Sequence, residues 1–258
     1  MCRATITVGA ALLAALSHVA DASPASKFLK LRQRAEHAVQ TITGRAQDVT
    51  VRWAVDRPTP AMVLGLQVPT QGADASQRAV RFVEQHQDLV GPVTLRPLDV
   101  RSTRDLTVVR LQQEHRGLVV LGAVATVALD SGGRVTALHS ATRPVTLKDV
   151  RPRLTASRAL AVASGALHSR ASGGVARLAI LAGAPARGAG EPRSGAERSA
   201  CAPPEVKGAP DVTARLVFEV TLPMNIDPRG RRHLVDAHSG EYVGWQVGVI
   251  GDGAEVRR

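Results

Sequence analysis

Chemistry in this 258-residue chain would first be sought among its eight histidines, and they are dispersed. No H-E-x-x-H occurs, so two helical histidines around a general-base glutamate, the zinc metalloprotease arrangement, are absent. G-x-S-x-G, S-x-x-K, Walker A and G-x-G-x-x-G are missing as well. His233 and His238 stand five apart across a strand and its turn, a spacing that puts them on opposite faces with no third ligand marked. His115 beside Glu114, and His86 on a helix face, read as polar or half-buried residues. Asp130, Asp236 and Glu241 fall at turns, where a carboxylate caps backbone amides more readily than it shares a proton with a second acid. The two cysteines, Cys2 and Cys201, cannot build a disulfide framework. No catalytic, metal-binding or cofactor-binding residue is therefore assigned, no cofactor is expected, and an enzyme is not expected. Partner-contacting residues are not legible. The turns near Gly117 and Gly240 and the tail from Gly248 are candidates only because exposed loops usually carry contacts.

Charge is the other chemical feature. Lys and Arg number 33 against 22 Asp and Glu, a net charge of +11, and only Lys27, Lys30, Lys148 and Lys207 among the basic residues are lysines. Guanidinium forks suit carboxylate-rich surfaces and phosphates alike. Phe, Trp and Tyr make up only 2% of the chain, and no basic block is interleaved with aromatics, which argues against nucleic acid as partner.

The positioning elements follow from periodicity. Met1 to Arg3 is a short basic start, Ala4 to Ala20 is apolar, and Ala20-Asp21-Ala22 offers small residues for cleavage. Residues 1–22 thus read as a signal peptide of a bacterial secreted or periplasmic protein, with no transmembrane segment once it is removed. Within 23–48, Phe28, Leu31, Ala35, Ala38, Val39 and Ile42 recur at three- and four-residue steps and predict an amphipathic helix. Val49 to Val55 and Ala61 to Val68 read as strands about a Pro-containing turn. Asp74 can cap a helix that carries Ala79, Phe82, Val83, His86 and Val90 on one face and ends at Gly91-Pro92. Leu106 to Ser140 reads as an antiparallel meander turning at Arg116-Gly117 and at 130–133.

A second unit repeats the plan. Thr155 can cap a helix with Leu160, Ala163 and Leu167 on its face. Strands are expected over 175–181, 214–222, 232–236 and 241–249, the last two joined by the turn Ala237-His238-Ser239-Gly240. Between the first two lies 182–211, rich in Gly, Pro, Ala, Ser, Arg and Glu, an expected disordered excursion that holds Cys201 and can be nicked at Arg187, Arg193 or Arg198. The class expected is α+β, two units that each pack a helix on an antiparallel sheet.

Several segments carry a family resemblance. Residues 81–91, Arg-Phe-Val-Glu-Gln-His-Gln-Asp-Leu-Val-Gly, resemble a helix ending near Leu-Phe-Gly, with Val90 in place of the usual Phe. Val109 to Gly122 resembles a strand, Gly turn and return strand, and Leu129 to Val135 the next hairpin. Leu154 to Ala163 resembles a helix start, and Val235-Asp236-Ala237-His238-Ser239-Gly240-Glu241-Tyr242-Val243 a V-D-A-x-T-G-E-V hairpin with Ser for Thr. Together they resemble the pro-region of secreted thermolysin-like and fungalysin-like zinc metalloproteases, a fungalysin/thermolysin propeptide (FTP) domain followed by a PepSY domain. The resemblance implies two cystatin-like units, FTP-like over 49–145 and PepSY-like over 150–249 with its insertion, then a tail at 250–258. It implies a non-catalytic protein that binds, inhibits or assists folding of an extracellular metalloprotease in trans, since the catalytic domain of a full precursor does not follow. A truncated precursor and an exported basic envelope-binding module are the alternatives.

Overall fold

The computed structural model describes residues 24–44, 48–147, 149–169, 173–183 and 214–247. Helix α1 (Pro24–Thr43) precedes strands β1 (Thr50–Trp53) and β2 (Pro60–Pro69). It buries Ala35 and Val39 and packs on β2, while the Arg32 guanidinium lies 3.6 Å from the centre of the Trp53 ring. Helix α2 (Ala75–Gln85) starts where expected: the Asp74 carboxylate accepts from Gln77 N at 2.8 Å, supplying a partner to an amide that the first turn leaves unpaired. The four-residue α3 (Gln87–Val90) follows at once and ends at Gly91. Phe82, Val83, Leu89 and Val90 enter a core with Leu66, Leu111, Val127, Leu129 and Leu138.

Strand β3 (Thr94–Ser102) precedes the meander of β4 (Leu106–His115), β5 (Leu118–Asp130) and β6 (Arg134–Ser140). Helix α4 (Ala156–Ala166), capped by Thr155, is then followed by β7 (Val175–Ala182), β8 (Ala214–Thr221), β9 (Arg231–Asp236) and β10 (Tyr242–Val247). The fold is α+β, as expected. The buried side of α4 is formed by Ala159, Ala163 and Ser164, whereas Leu160 and Leu167, expected to face the sheet, are only half-buried beside it.

Two features depart from the sequence reading. Strand β3 was not foreseen: only Leu95 and Asp99 are even half-buried, Pro97 lies within it, and a bulge falls between Pro97 and Asp99. Such a strand sits at a sheet edge, where neither alternation nor ladder hydrogen bonds are demanded on both sides. The second departure is that the described strands form one ten-stranded sheet. β5 pairs with β4 along one side; on its other side residues 125–129 pair with β6, while Val120 and Leu121 pair in parallel with Ile180 and Leu181 of β7. A register shift between Gln112 and Glu114 and a positive φ of 72° at Gly122 lie beside this branch. The Gln112 amide donates to the carbonyls of Val120 and Ala123 at 2.8 and 3.0 Å, partnering backbone oxygens beside the bulge.

The expected signal peptide over 1–22, the candidate tail from Gly248 and Cys201 lie outside the described residues, as does the expected excursion beyond Gly183. At its start, Ala182 belongs to β7 and pairs with Ala214.

Candidate functional site

Alternation along β8 sends Leu216, Phe218 and Val220 into the core shared with Ala159 and Ala163 of α4. Val217 joins Leu121, Ala179, Leu181 and Leu234 in a smaller cluster on the other face. Two buried ionisable networks flank these layers.

The first belongs to the α4 face. His233 and Asp227 are both fully buried, with His233 Nε2 2.9 Å from Asp227 Oδ2 and Nδ1 2.9 Å from the Tyr242 hydroxyl. One neutral tautomer satisfies every group: Nε2–H donates to the carboxylate, and the tyrosine O–H donates to Nδ1. Burial lowers the His233 pKa and outweighs the opposing hydrogen bond and charge of Asp227. Burial pushes the Asp227 carboxyl up, but hydrogen bonds from Arg231, His233 and the Arg229 amide leave it lowered. Desolvation raises the Tyr242 phenol. A carboxylate behind a histidine is how a general base is oriented, yet this imidazole spends its second nitrogen on Tyr242 and neither it nor Asp227 meets solvent. The network fastens the segment between β8 and β9 to the sheet, since Asp227 also accepts from the amides of Arg229 and Arg231 at 3.2 and 3.1 Å.

The second lies on the opposite face. Glu219 is 2% exposed and accepts from Arg177, from Arg232 at 3.1 Å and from Gln246 at 3.4 Å. Buried carboxylates persist when their lone pairs are filled in this way. Sequence reasoning missed both networks. For Glu219 the available signal was a carboxylate inside the apolar run Leu216-Val217-Phe218-Glu219-Val220; for Asp227 there was none.

The turn residues take separate places. Asp130 accepts from the Arg134 amide at 2.9 Å and its guanidinium at 2.8 Å, and these contacts, the amide foremost, hold its pKa down despite partial desolvation. Asp236 accepts from His238 N and Ser239 N at 2.9 and 2.8 Å; burial raises its pKa, but the amide bonds more than offset this. Glu241, expected to cap amides, instead lies exposed and 3.9 Å from Arg215. His233 and His238 do not converge: His238 Nε2 donates to the Arg151 carbonyl at 3.0 Å, far from the His233 network in bonding if not in sequence. His86 tilts against Phe82 with ring centroids 4.9 Å apart, and burial lowers its pKa. His115 is half-buried. Of the candidate contact turns, Arg116-Gly117 is exposed with φ of 52° and 79°, the left-handed pair of a tight hairpin. The Gly240 turn is packed: φ is 77°, and a Cβ there would sit 3.1 Å from Leu154. No group of three or more His, Cys, Asp or Glu able to hold a metal occurs among the described residues. Among them, too, no helix is long and apolar enough to cross a membrane.

With this geometry in view, the comparisons are specific in one place. Residues 94–142, which span β3 to β6, match the Fungalysin/Thermolysin Propeptide Motif. The chain therefore carries a propeptide motif, which is not a catalytic domain. No match was found among curated proteins. Among solved structures, the Bacillus megaterium YpeB C-terminal domain is similar at 11% identity and a TM-score of 0.38, over 83% of this chain and 96% of that one.

Proposed function

We propose that this is a secreted, non-catalytic propeptide-like protein that binds an extracellular thermolysin-like or fungalysin-like zinc metalloprotease in trans and inhibits it or assists its folding. The observation that carries the reading is the propeptide motif over 94–142, which runs from the start of the edge strand β3 to just past the end of the meander strand β6. In this reading 49–145 is an FTP-like unit and 150–249 a PepSY-like unit, both cystatin-like, and the leader 1–22 directs export. Inhibition requires no reactive group: a surface laid across the protease cleft excludes substrate, in keeping with His233, Asp227, Glu219 and His238, each engaged in a structural bond. The exposed Arg116-Gly117 hairpin is the better of the two candidate turns, because the Gly240 turn is packed against Leu154.

The test is residual activity of a secreted thermolysin-like protease from the same organism, titrated with the chain from Ser23 to Arg258, with an unrelated serine protease as control. Selective, saturable loss of metalloprotease activity is expected. Unchanged activity, with neither binding of the protease nor improved recovery on refolding, would overturn the reading.

A further inference from the structure

Strand β3 is hydrogen-bonded to β4 along one side, and among the described residues no strand pairs with its other side. Which of its backbone groups face outward follows from one bond at the hairpin tip, where the Thr103 amide donates to the Leu106 carbonyl at 2.8 Å. Hydrogen-bonded and non-hydrogen-bonded pairs alternate along an antiparallel ladder. Ser102 and Thr107 are therefore a non-bonded pair, in keeping with hydroxyls 3.1 Å apart; Arg101 and Val108 are a bonded pair, and Val100 and Val109 again a non-bonded one. The N–H and C=O of Val100 and of Ser102 thus point away from β4. Pro97 and the bulge before Asp99 guard the first part of this edge, whereas Val100 is 45% exposed, with Leu98 and Leu106 exposed beside it.

The order of residues on this edge is complementary to itself. A second copy added antiparallel about a two-fold axis must bring outward groups to outward groups, which restricts the axis to the centre of a residue. Centred on Asp99 or on Arg101, it sets like charges opposite each other; centred on Ser102, it sets Asp99 opposite the partner's Asp105. Centred on Val100, it lets the two valines exchange their outward hydrogen bonds and puts Asp99 opposite the partner's Arg101 on both sides of the axis. Within one chain Asp99 already faces Arg110 at 3.3 Å and Arg101 at 3.6 Å, and the Arg101 side chain is 66% exposed. The charges therefore select the register and add little affinity. Pairing over 98–102 is short against a standard interface of roughly 1,200–2,000 Å², which makes the dimer a weak one.

We propose that the chain self-associates through the free edge of β3, in an antiparallel two-fold pairing centred on Val100 that continues the sheet into a second copy. This surface does not depend on the protease-binding reading.

Sedimentation velocity of the full chain over about three decades of concentration, up to about 1 mM, tests it. A reversible monomer–dimer equilibrium is expected. Val100→Pro removes an outward N–H that β4 does not use and should weaken the dimer at least ten-fold with the circular dichroism spectrum unchanged. Arg101→Glu sets two acids opposite each other and should do the same. Mixed with Asp99→Lys, which should not dimerise alone, Arg101→Glu should regain association, because each acid then meets a base. Should Val100→Pro or Asp99→Lys not fold, Arg101→Glu, at an exposed position, still decides. A chain that stays monomeric over the whole range, leaving the edge to a strand of another protein, would overturn the proposal. So would a dimer unaltered in folded Arg101→Glu, or two folded charge variants that do not associate when mixed.

Discussion

The half of the molecule around α2 and the half around α4 lay a helix on strands, but they stabilise it by different physics. Around α2 the fully buried side chains include Phe82, Leu66, Leu89, Leu111, Leu129 and Leu138. Around α4 the helix offers Ala159 and Ala163, while fully or nearly fully buried Asp227, His233 and Glu219 lie within the strands and the β8–β9 connection. Large apolar side chains gain from area removed from water and need no exact partner, whereas a buried ionisable group contributes only while its partners are in place. The first half should therefore be most sensitive to lost volume and the second to lost partners, while each half contributes one histidine to the pH dependence.

The largest effect is expected from the first half. Phe82→Ala should cost about 4 kcal/mol, the loss of a fully buried aromatic together with the cavity it leaves, measured by urea unfolding. Next, Asp227→Ala should cost about 3 kcal/mol, because it strands the partly buried Arg231 guanidinium and the His233 ring. An Asp227→Ala loss below 1 kcal/mol would show that the two halves do not differ in the way described.

The pH dependence sharpens the same contrast. The folded pKa values of His86 and His233 lie below their ordinary value of 6.5, so the unfolded chain binds more protons beneath that pH. Stability should be level between about 6.5 and 10, fall above that as the buried Tyr242 phenol, whose pKa is raised, is made to ionise, fall as pH drops from 6.5 toward the folded histidine values, and fall again below about 3.8 as Asp227 and Asp236, whose pKa values are lowered, take up protons. His86→Gln should remove the α2 half's share of the histidine decline and leave that of His233, which an acid titration followed by denaturant unfolding resolves. The smallest effects compare the two caps. Asp74→Ala should cost about 1 kcal/mol and Thr155→Ala about half that, since the Asp74 bond is 2.8 Å and the Thr155 bond to Arg158 N is 3.3 Å.

Legibility in the sequence tracks the range of the interaction. Asp74 and Thr155 announced their helices because a cap is made with an amide three residues on. The Arg116-Gly117 hairpin and the Asp236 turn were legible for the same reason: each turn is made within four or five residues. Of the buried face of α4 Ala163 was expected but Ala159 and Ser164 were not, because small residues at a close helix–sheet approach look no different in sequence from small residues facing water. The partners of Glu219 come from positions 42, 13 and 27 residues away, and nothing in the order of residues pairs them.

By itself the sequence determined the α+β class, nearly all the strands and helices, and the absence of familiar catalytic motifs, since periodicity, capping and turn chemistry are local properties of the chain. Tertiary structure alone decided that β5 is shared between β6 and β7 and that the edge strand β3 extends the meander. These depend on which distant segments meet, and that is settled by the joint burial of whole faces and the hydrogen-bond demands of buried polar groups.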